Sequence, residues 1–273
     1  MSEADSTRSY FLAEMRQPEA EHLLREAGLV ILPVGSVEQH GPHLPLGTDA
    51  FAALAVAQRV AARLKAPILP GPMVGVAPYH LPWIGTLTLR PSTLQAVLVD
   101  LCAPLPAAGV KRLLIINWHE GNTPTVRQAA QEIQEQHGLR VLVAETHIIT
   151  NQLFPDEMEF THCGAMETSA VLAYDPTLVD LAQAREGATD LDRGNRGHAL
   201  FRRRDVFPIM RDFREVAPTG WYGHPERATP ERAREIFNRV ADHVVTQMAE
   251  VFEALEALRP DGAESAAAAG KGS

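Results

Sequence analysis

Two carboxylates and two imidazoles fall within one short stretch of this chain, Glu38-Gln39-His40-Gly41-Pro42-His43-Leu44-Pro45-Leu46-Gly47-Thr48-Asp49. Glu38 and His40 are separated by one residue. In an extended segment, positions i and i+2 point to the same side, so both can reach one ion or an adjacent pair. Asp49 returns after a loop pinned by Gly41, Pro42, Pro45 and Gly47. His119 leaves a second apolar run, and Glu167 opens a helix just after His162. Carboxylate and imidazole donors without thiolate suit Zn²⁺, Mn²⁺ or Fe²⁺. A carboxylate can bridge two ions, and two ions about 3.5–4 Å apart can clamp both a nucleophile and a developing oxyanion. The competing reading makes Glu38 and His40 loop surface and His119 a core histidine. Their joint position at the ends of consecutive apolar strands favours a site.

The elements that must hold these residues follow from the apolar pattern. The run over 29–34 predicts a buried strand that hands the chain straight to the polar loop, as strands of open α/β sheets do at their carboxyl ends. A short helix is expected over 18–27, ending at Gly28, and an alanine-rich helix over 50–64, with Thr48 or Asp49 able to cap it. Further strands are predicted over 66–70, 85–89, 113–117 and 141–144. Helices are predicted from Ser92 or Thr93 to about 107, over 123–137 and 166–174, and from Thr229, with Pro230 in its first turn, to about 258. Residues 146–164 read as irregular and 191–214 as a long arginine-rich surface excursion. The alternation of strands and helices predicts a mainly parallel sheet covered on both faces. One domain is expected over 10–258, with disordered ends at 1–9 and 259–273.

Composition narrows the function classes. The chain has 273 residues, 45% hydrophobic, with 25 basic against 34 acidic residues and a net charge of −9. A diffuse acidic excess argues against nucleic acid as partner, since phosphate binding needs basic patches. The Arg202-Arg203-Arg204 cluster reads as a solvated turn. Cys102 and Cys163 do not make a disulfide framework, so a reducing cytoplasm is the expected location. No apolar run approaches the roughly 20 residues a membrane helix needs. Trp83 and His80 in a Pro/Gly-rich loop, Trp118 beside His119, and Trp221 are candidates for lining a substrate pocket.

The stretch from Gly35 to Asp49 resembles the signature loop of the creatininase (creatinine amidohydrolase) family. The resemblance continues through Pro82-Trp83-Ile84-Gly85-Thr86, Asn117-Trp118-His119-Glu120-Gly121-Asn122 and His162-Cys163-Gly164-Ala165-Met166-Glu167-Thr168-Ser169, with a weaker echo at 220–225. It implies a single-domain three-layer α/β/α sandwich, often assembled into hexamers. It implies metal ligation by Glu38, His40, Asp49 and His119, with Asp49 bridging two ions, and a catalytic role for His162. It assigns Glu167 as the remaining carboxylate ligand. Two positions depart from creatininase itself. The place of a ligand glutamate two residues after the loop histidine is Gly121 here, and Glu120 stands beside it as a rival ligand or base. The glutamate preceding the catalytic histidine is Thr161. The implied activity is hydrolysis of a C–N bond in a small cyclic or linear amide. Deformylation of a pyrimidine ribotide, maturation of a peptide-derived cofactor, and a non-catalytic metal-stabilised scaffold are the alternatives.

Overall fold

The computed structural model describes residues 9–185 and 187–258. The expected disordered ends fall outside these residues, apart from Ser9. Three parallel strands, β1 (Leu29–Val34), β2 (Arg112–Asn117) and β3 (Arg140–Glu145), lie side by side in that order. The register puts Val34 opposite Asn117 and Asn117 opposite Glu145, so the strands end level.

Side chains along each strand alternate between the two faces of the sheet, and the core divides accordingly. Leu29, Ile31, Leu114 and Ile116 pack into one cluster. That face is covered by α2 (Thr48–Leu64), α6 (Ala165–Tyr174) and α8 (Pro230–Ala257), with α5 (Thr146–Leu153) beside them. Val30, Leu32, Val34, Leu113 and Ile115 pack into the opposite cluster under α3 (Pro91–Cys102) and α4 (Thr123–His137). The helix α1 (Gln17–Ala27) precedes β1 and ends at Gly28 in the left-handed conformation. The architecture is the expected single-domain α/β sandwich around a parallel sheet.

Several boundaries depart from the sequence pattern. Residues 66–70 make only isolated parallel bridges at Ile68, to Ile31 and Phe11. Pro67 and Pro70 lack the N–H groups that would extend the ladder. Residues 85–89 contribute one antiparallel bridge, Leu87 to Val37. The segment expected to be irregular contains α5. The arginine-rich excursion contains a further helix, α7 (Leu191–Phe201), capped by Asp190, whose side chain accepts from Arg193 N. Among the described residues no helix is long and apolar enough to cross a membrane. Both cysteines are buried and free.

A close approach aims the first loop. A Cβ at Gly35 would lie 2.3 Å from Ala50 Cα. Only a glycine lets the end of β1 meet the first turn of α2, and that contact sets Asp49 beside the strand ends. The Asn122 side chain joins neighbouring loops: it donates to Gly35 O at 2.9 Å and accepts from Val76 N at 2.9 Å.

Candidate metal centre

Glu38, His40, Asp49, His119 and Glu167 converge above the carboxyl ends of β1 and β2, and all five are buried. Asp49 is central. Its Oδ1 lies 3.5 Å from His40 Nε2, and its Oδ2 lies 3.0 Å from His119 Nδ1. Each imidazole has its own second carboxylate. His40 Nε2 is 3.7 Å from Glu167 Oε2, and His119 Nε2 is 3.3 Å from Glu38 Oε2. The five side chains therefore form two half-sites that share Asp49.

The protein orients each donor. His40 donates Nδ1–H toward Glu38 O at 3.2 Å, which leaves Nε2 as the nitrogen facing the carboxylates. His119 Nε2 is 3.1 Å from Val76 O; donation there would present Nδ1 to Asp49. Ser36 Oγ donates to Glu38 Oε2 at 3.0 Å. Cys163 N donates to Glu167 Oε2 at 2.5 Å. Cys163 has φ +65°, a left-handed conformation that a non-glycine residue adopts at a cost. The surrounding contacts enforce it: the Cys163 carbonyl accepts from His43 Nε2 at 2.9 Å.

The charges are strongly coupled. Burial raises Glu38 and Glu167 to about 7 each. Burial works against protonation of His40 and His119, but the carboxylates overcome it and raise them to about 10 and about 9. Burial also resists the charge on Asp49, yet His40 and His119 hold its carboxyl well below the usual range. His40 Nε2 and Asp49 Oδ2 are buried without a hydrogen bond. Buried carboxylates facing imidazole nitrogens with unsatisfied atoms between them are a donor set that fits divalent cations. Glu38, His40 and Asp49 can present ligand atoms within 4.8 Å of one another, as can His40, His162 and Glu167.

His162 lies beside the cluster, its Nδ1 3.6 Å from Glu167 Oε2. Burial, then the charge on His40, depresses its basicity well below the ordinary histidine value. His80 Nε2 is 3.3 Å from Glu38 Oε1, closer to the cluster than a pocket-lining role requires. Sequence reasoning missed Gln39, although it lies between two proposed ligands. In an extended segment it points away from Glu38 and His40, and the fold puts His80 and His162 there. Gln39 Nε2 lies 2.9 Å from His162 Nε2, 3.1 Å from His80 Nδ1 and 2.6 Å from Gly220 O. An amide nitrogen has only two hydrogens for these three contacts. The Gln39 backbone carbonyl, 3.2 Å from His162 Nε2, offers that ring an acceptor.

A cavity of about 410 Å³ opens over the cluster. Its polar lining includes Glu38, Asp49, His80, His119, His162 and Glu167. Trp118 reaches one wall but is mainly a core residue, stacked on Phe237 with ring centroids 5.6 Å apart. Trp83 and Trp221 do not line the cavity. Trp83 packs edge-on against Phe213 at 6.4 Å, and Trp221 edge-on against His43 at 5.0 Å. Both act as packing anchors for loops. Glu120 is directed to a different partner: both of its carboxylate oxygens accept from Arg202, at 2.9–3.1 Å. Burial opposes its charge, but Arg202 keeps its pKa lowered, and the carboxylate is turned toward that guanidinium.

Gly121 admits no side chain. A Cβ there would lie 2.5 Å from each of His119 Nε2, Tyr79 Oη and Val76 O. Gly121→Ala is expected to displace His119 and cost about 1–3 kcal/mol, lowering Tm by about 2–10 °C. Thermal unfolding alongside metal analysis checks this. Unchanged Tm and unchanged metal content would mean that the loop relaxes freely.

Fold and site together define an α/β protein with a carboxylate–imidazole metal-type centre at its strand ends. The family profile described as creatininase, creatinine amidohydrolase, matches residues 13–248. The mycofactocin precursor peptide peptidase of Mycolicibacterium smegmatis is 35% identical over 79% of this chain and 84% of its own length. Creatinine amidohydrolase of Pseudomonas putida is 29% identical over 74% of this chain and 83% of its own. A mutant creatininase solved in complex with creatine superposes with a TM-score of 0.73 at 26% identity, covering 90% of this chain and 99% of that one. Other creatininase structures are described as Zn-Zn and Mn forms. The chain belongs to the creatininase family, whose relatives here are hydrolases.

Proposed function

We propose that this protein is a metal-dependent amidohydrolase that cleaves a C–N amide bond. The observation that carries the reading is the pair of half-sites joined by Asp49 at the floor of the cavity. Glu38, His40, Asp49, His119 and Glu167 would hold two divalent ions, Zn²⁺, Mn²⁺ or Fe²⁺. Such ions, when bound, make water a nucleophile near neutral pH and polarise a carbonyl oxygen. Asp49 offers one oxygen to each half-site. His40 and His119 are held in fixed orientations by the Glu38 and Val76 carbonyls, as ligand imidazoles commonly are.

His162 is the candidate for proton transfer. If it donates Nε2–H to the Gln39 carbonyl, its Nδ1 lone pair faces Glu167 and the cavity, where it can take a proton and return it to the leaving nitrogen. Gln39 holds that ring in place from the far side.

The substrate side of the cavity supports something larger than a single small ring. The volume lies in the range that holds drug-sized ligands. Phe160, Phe201, Phe207, Ile209, Met210 and Phe213 form an apolar wall, and of the three tryptophans Trp118 alone reaches the cavity. A peptide-derived amide fits this wall, and the peptidase named among the relatives favours the same class. Homo-oligomeric assembly belongs to this reading: Leu81, Ile84 and Leu87 are exposed on one loop region.

Elemental analysis of the purified protein, followed by an amide panel including creatinine, N-formyl compounds and short peptides, tests the proposal. The expected result is two ions per chain, with turnover abolished by chelation and restored by metal. Metal that cannot be removed without unfolding, with no amide cleaved, would favour a scaffold.

A further inference from the structure

Arg202 follows the last residue of α7 and lines the cavity over the cluster. The guanidinium lies 3.7 Å above the centre of the Phe160 ring, which fixes its plane. Glu120 occupies one edge of it. Nε donates to both carboxylate oxygens at 3.1 and 3.0 Å, and Nη2 donates to Oε2 at 2.9 Å. An arginine has a second two-donor edge, formed by Nη1 and the remaining Nη2 hydrogen. Among the described residues, no hydrogen bond uses Nη1. Glu120 already accepts three hydrogen bonds from Arg202, while the Nη1 edge of the guanidinium is left to meet an acceptor.

Glu120 is the carboxylate paired with Arg202, while the cavity's other carboxylates, Glu38, Asp49 and Glu167, gather at the cluster. His147 and His198 also line the cavity, and burial lowers them to about 4 and about 3, so both are neutral at pH 7. Phe201 precedes Arg202 in the chain, and it lines the cavity with Phe207, Ile209 and Met210 as apolar surface. A planar donor edge beside an apolar wall is how a free carboxylate on a residue with a bulky side chain is recognised.

We propose that Arg202 and Phe160 form a carboxylate-reading subsite, and that the substrate is an amide carrying a free carboxylate beside a large apolar side chain, as at the carboxyl terminus of a peptide. The inference rests on reading this cavity as an amidohydrolase site. Glu120 then serves as the brace that holds one edge of Arg202 so that the other faces the ligand.

Calorimetry on the metal-loaded full chain with two probes tests it: N-acetyl-L-phenylalanine and its carboxamide. The wild type should bind the acid at least about tenfold more tightly than the amide, as a charge-assisted hydrogen bond supports. Arg202→Met should bring the ratio to about one, and Arg202→Lys, which keeps the charge and loses the fork, should restore part of it. Amide binding by each variant reports whether the cavity survives the substitution. If Arg202→Met loses amide binding, the decision passes to Arg202→Lys, and an undiminished acid preference in that variant overturns the proposal. A wild type that does not discriminate also overturns it. So does discrimination that persists in Arg202→Met, because the carboxylate would then be held at the metal cluster. Absence of metal or of any amide cleavage would refute the hydrolase reading, while the acid-to-amide ratio would still report on the subsite.

Discussion

Asp49→Ala is expected to yield folded protein that has lost metal and has no measurable turnover. Among the described residues Asp49 is the one carboxylate that approaches both imidazoles, with Oδ1 3.5 Å from His40 and Oδ2 3.0 Å from His119. Removing it takes a donor from each half-site and leaves His40 and His119 with one facing carboxylate each, Glu167 and Glu38. The loss in metal affinity should exceed the roughly 10–100-fold seen when only an orienting neighbour of a ligand is changed. Asp49→Asn provides the finer test. It keeps the volume but offers one acceptor oxygen, so about half the wild-type metal content is expected. Elemental analysis after dialysis reads both variants. Two ions per chain in Asp49→Ala would remove the basis for the shared-carboxylate centre.

His162→Ala is expected to separate chemistry from metal binding. Turnover should fall by about 10²–10⁴-fold, the contribution of a positioned proton-transfer group, while metal content stays at the wild-type level. The outcome is informative because the geometry admits a rival. His162 can present a ligand atom near His40 and Glu167, and near Glu38 and His80. Loss of an ion in His162→Ala would reassign it as a ligand. Retention of the ion together with retained turnover would leave it a packing residue held by Gln39.

The parts of the fold legible in the sequence were those governed by local rules. Leu29–Val34 and Arg112–Asn117 are near-continuous apolar runs, and a strand buried on both faces reads that way. Helix α8 begins where Thr229 and Pro230 say it should, with the Thr229 hydroxyl accepting from Arg232 N at 3.3 Å. Helix α7 was not legible because it contains Gly194 and Gly197, which read locally as breakers. In the fold they are contact points: a Cβ at Gly194 would lie 2.3 Å from the Tyr222 ring, and one at Gly197 would lie 3.1 Å from Val216.

The same division holds at the site. Glu38, His40 and Asp49 share one loop, and a local spacing rule groups them. His119 and Glu167 come from other segments, and the family resemblance supplied what spacing could not. Trp83 and Trp221 were selected for their side chains alone, and distant partners, Phe213 and His43, decided that they pack away from the cavity. Arg202 shows the limit most plainly. It is one of three consecutive arginines with identical local chemistry, and only the placement of Phe160 and Glu120 singles it out. Arg203 instead pairs with Asp205, its exposed neighbour.

The tight packing around Gly121 also bears on how this centre could be altered by mutation. A carboxylate is not expected to be gained at that position by a single substitution, because the Val76 carbonyl, Tyr79 Oη and His119 Nε2 each stand 2.5 Å from where its Cβ would go. Shortening Tyr79 would clear one of the three, and the backbone carbonyl and the candidate ligand imidazole would remain. Directed evolution toward a ligand at 121 should therefore require a shift of the backbone at Val76 as well, and a library that varies position 121 alone should return glycine.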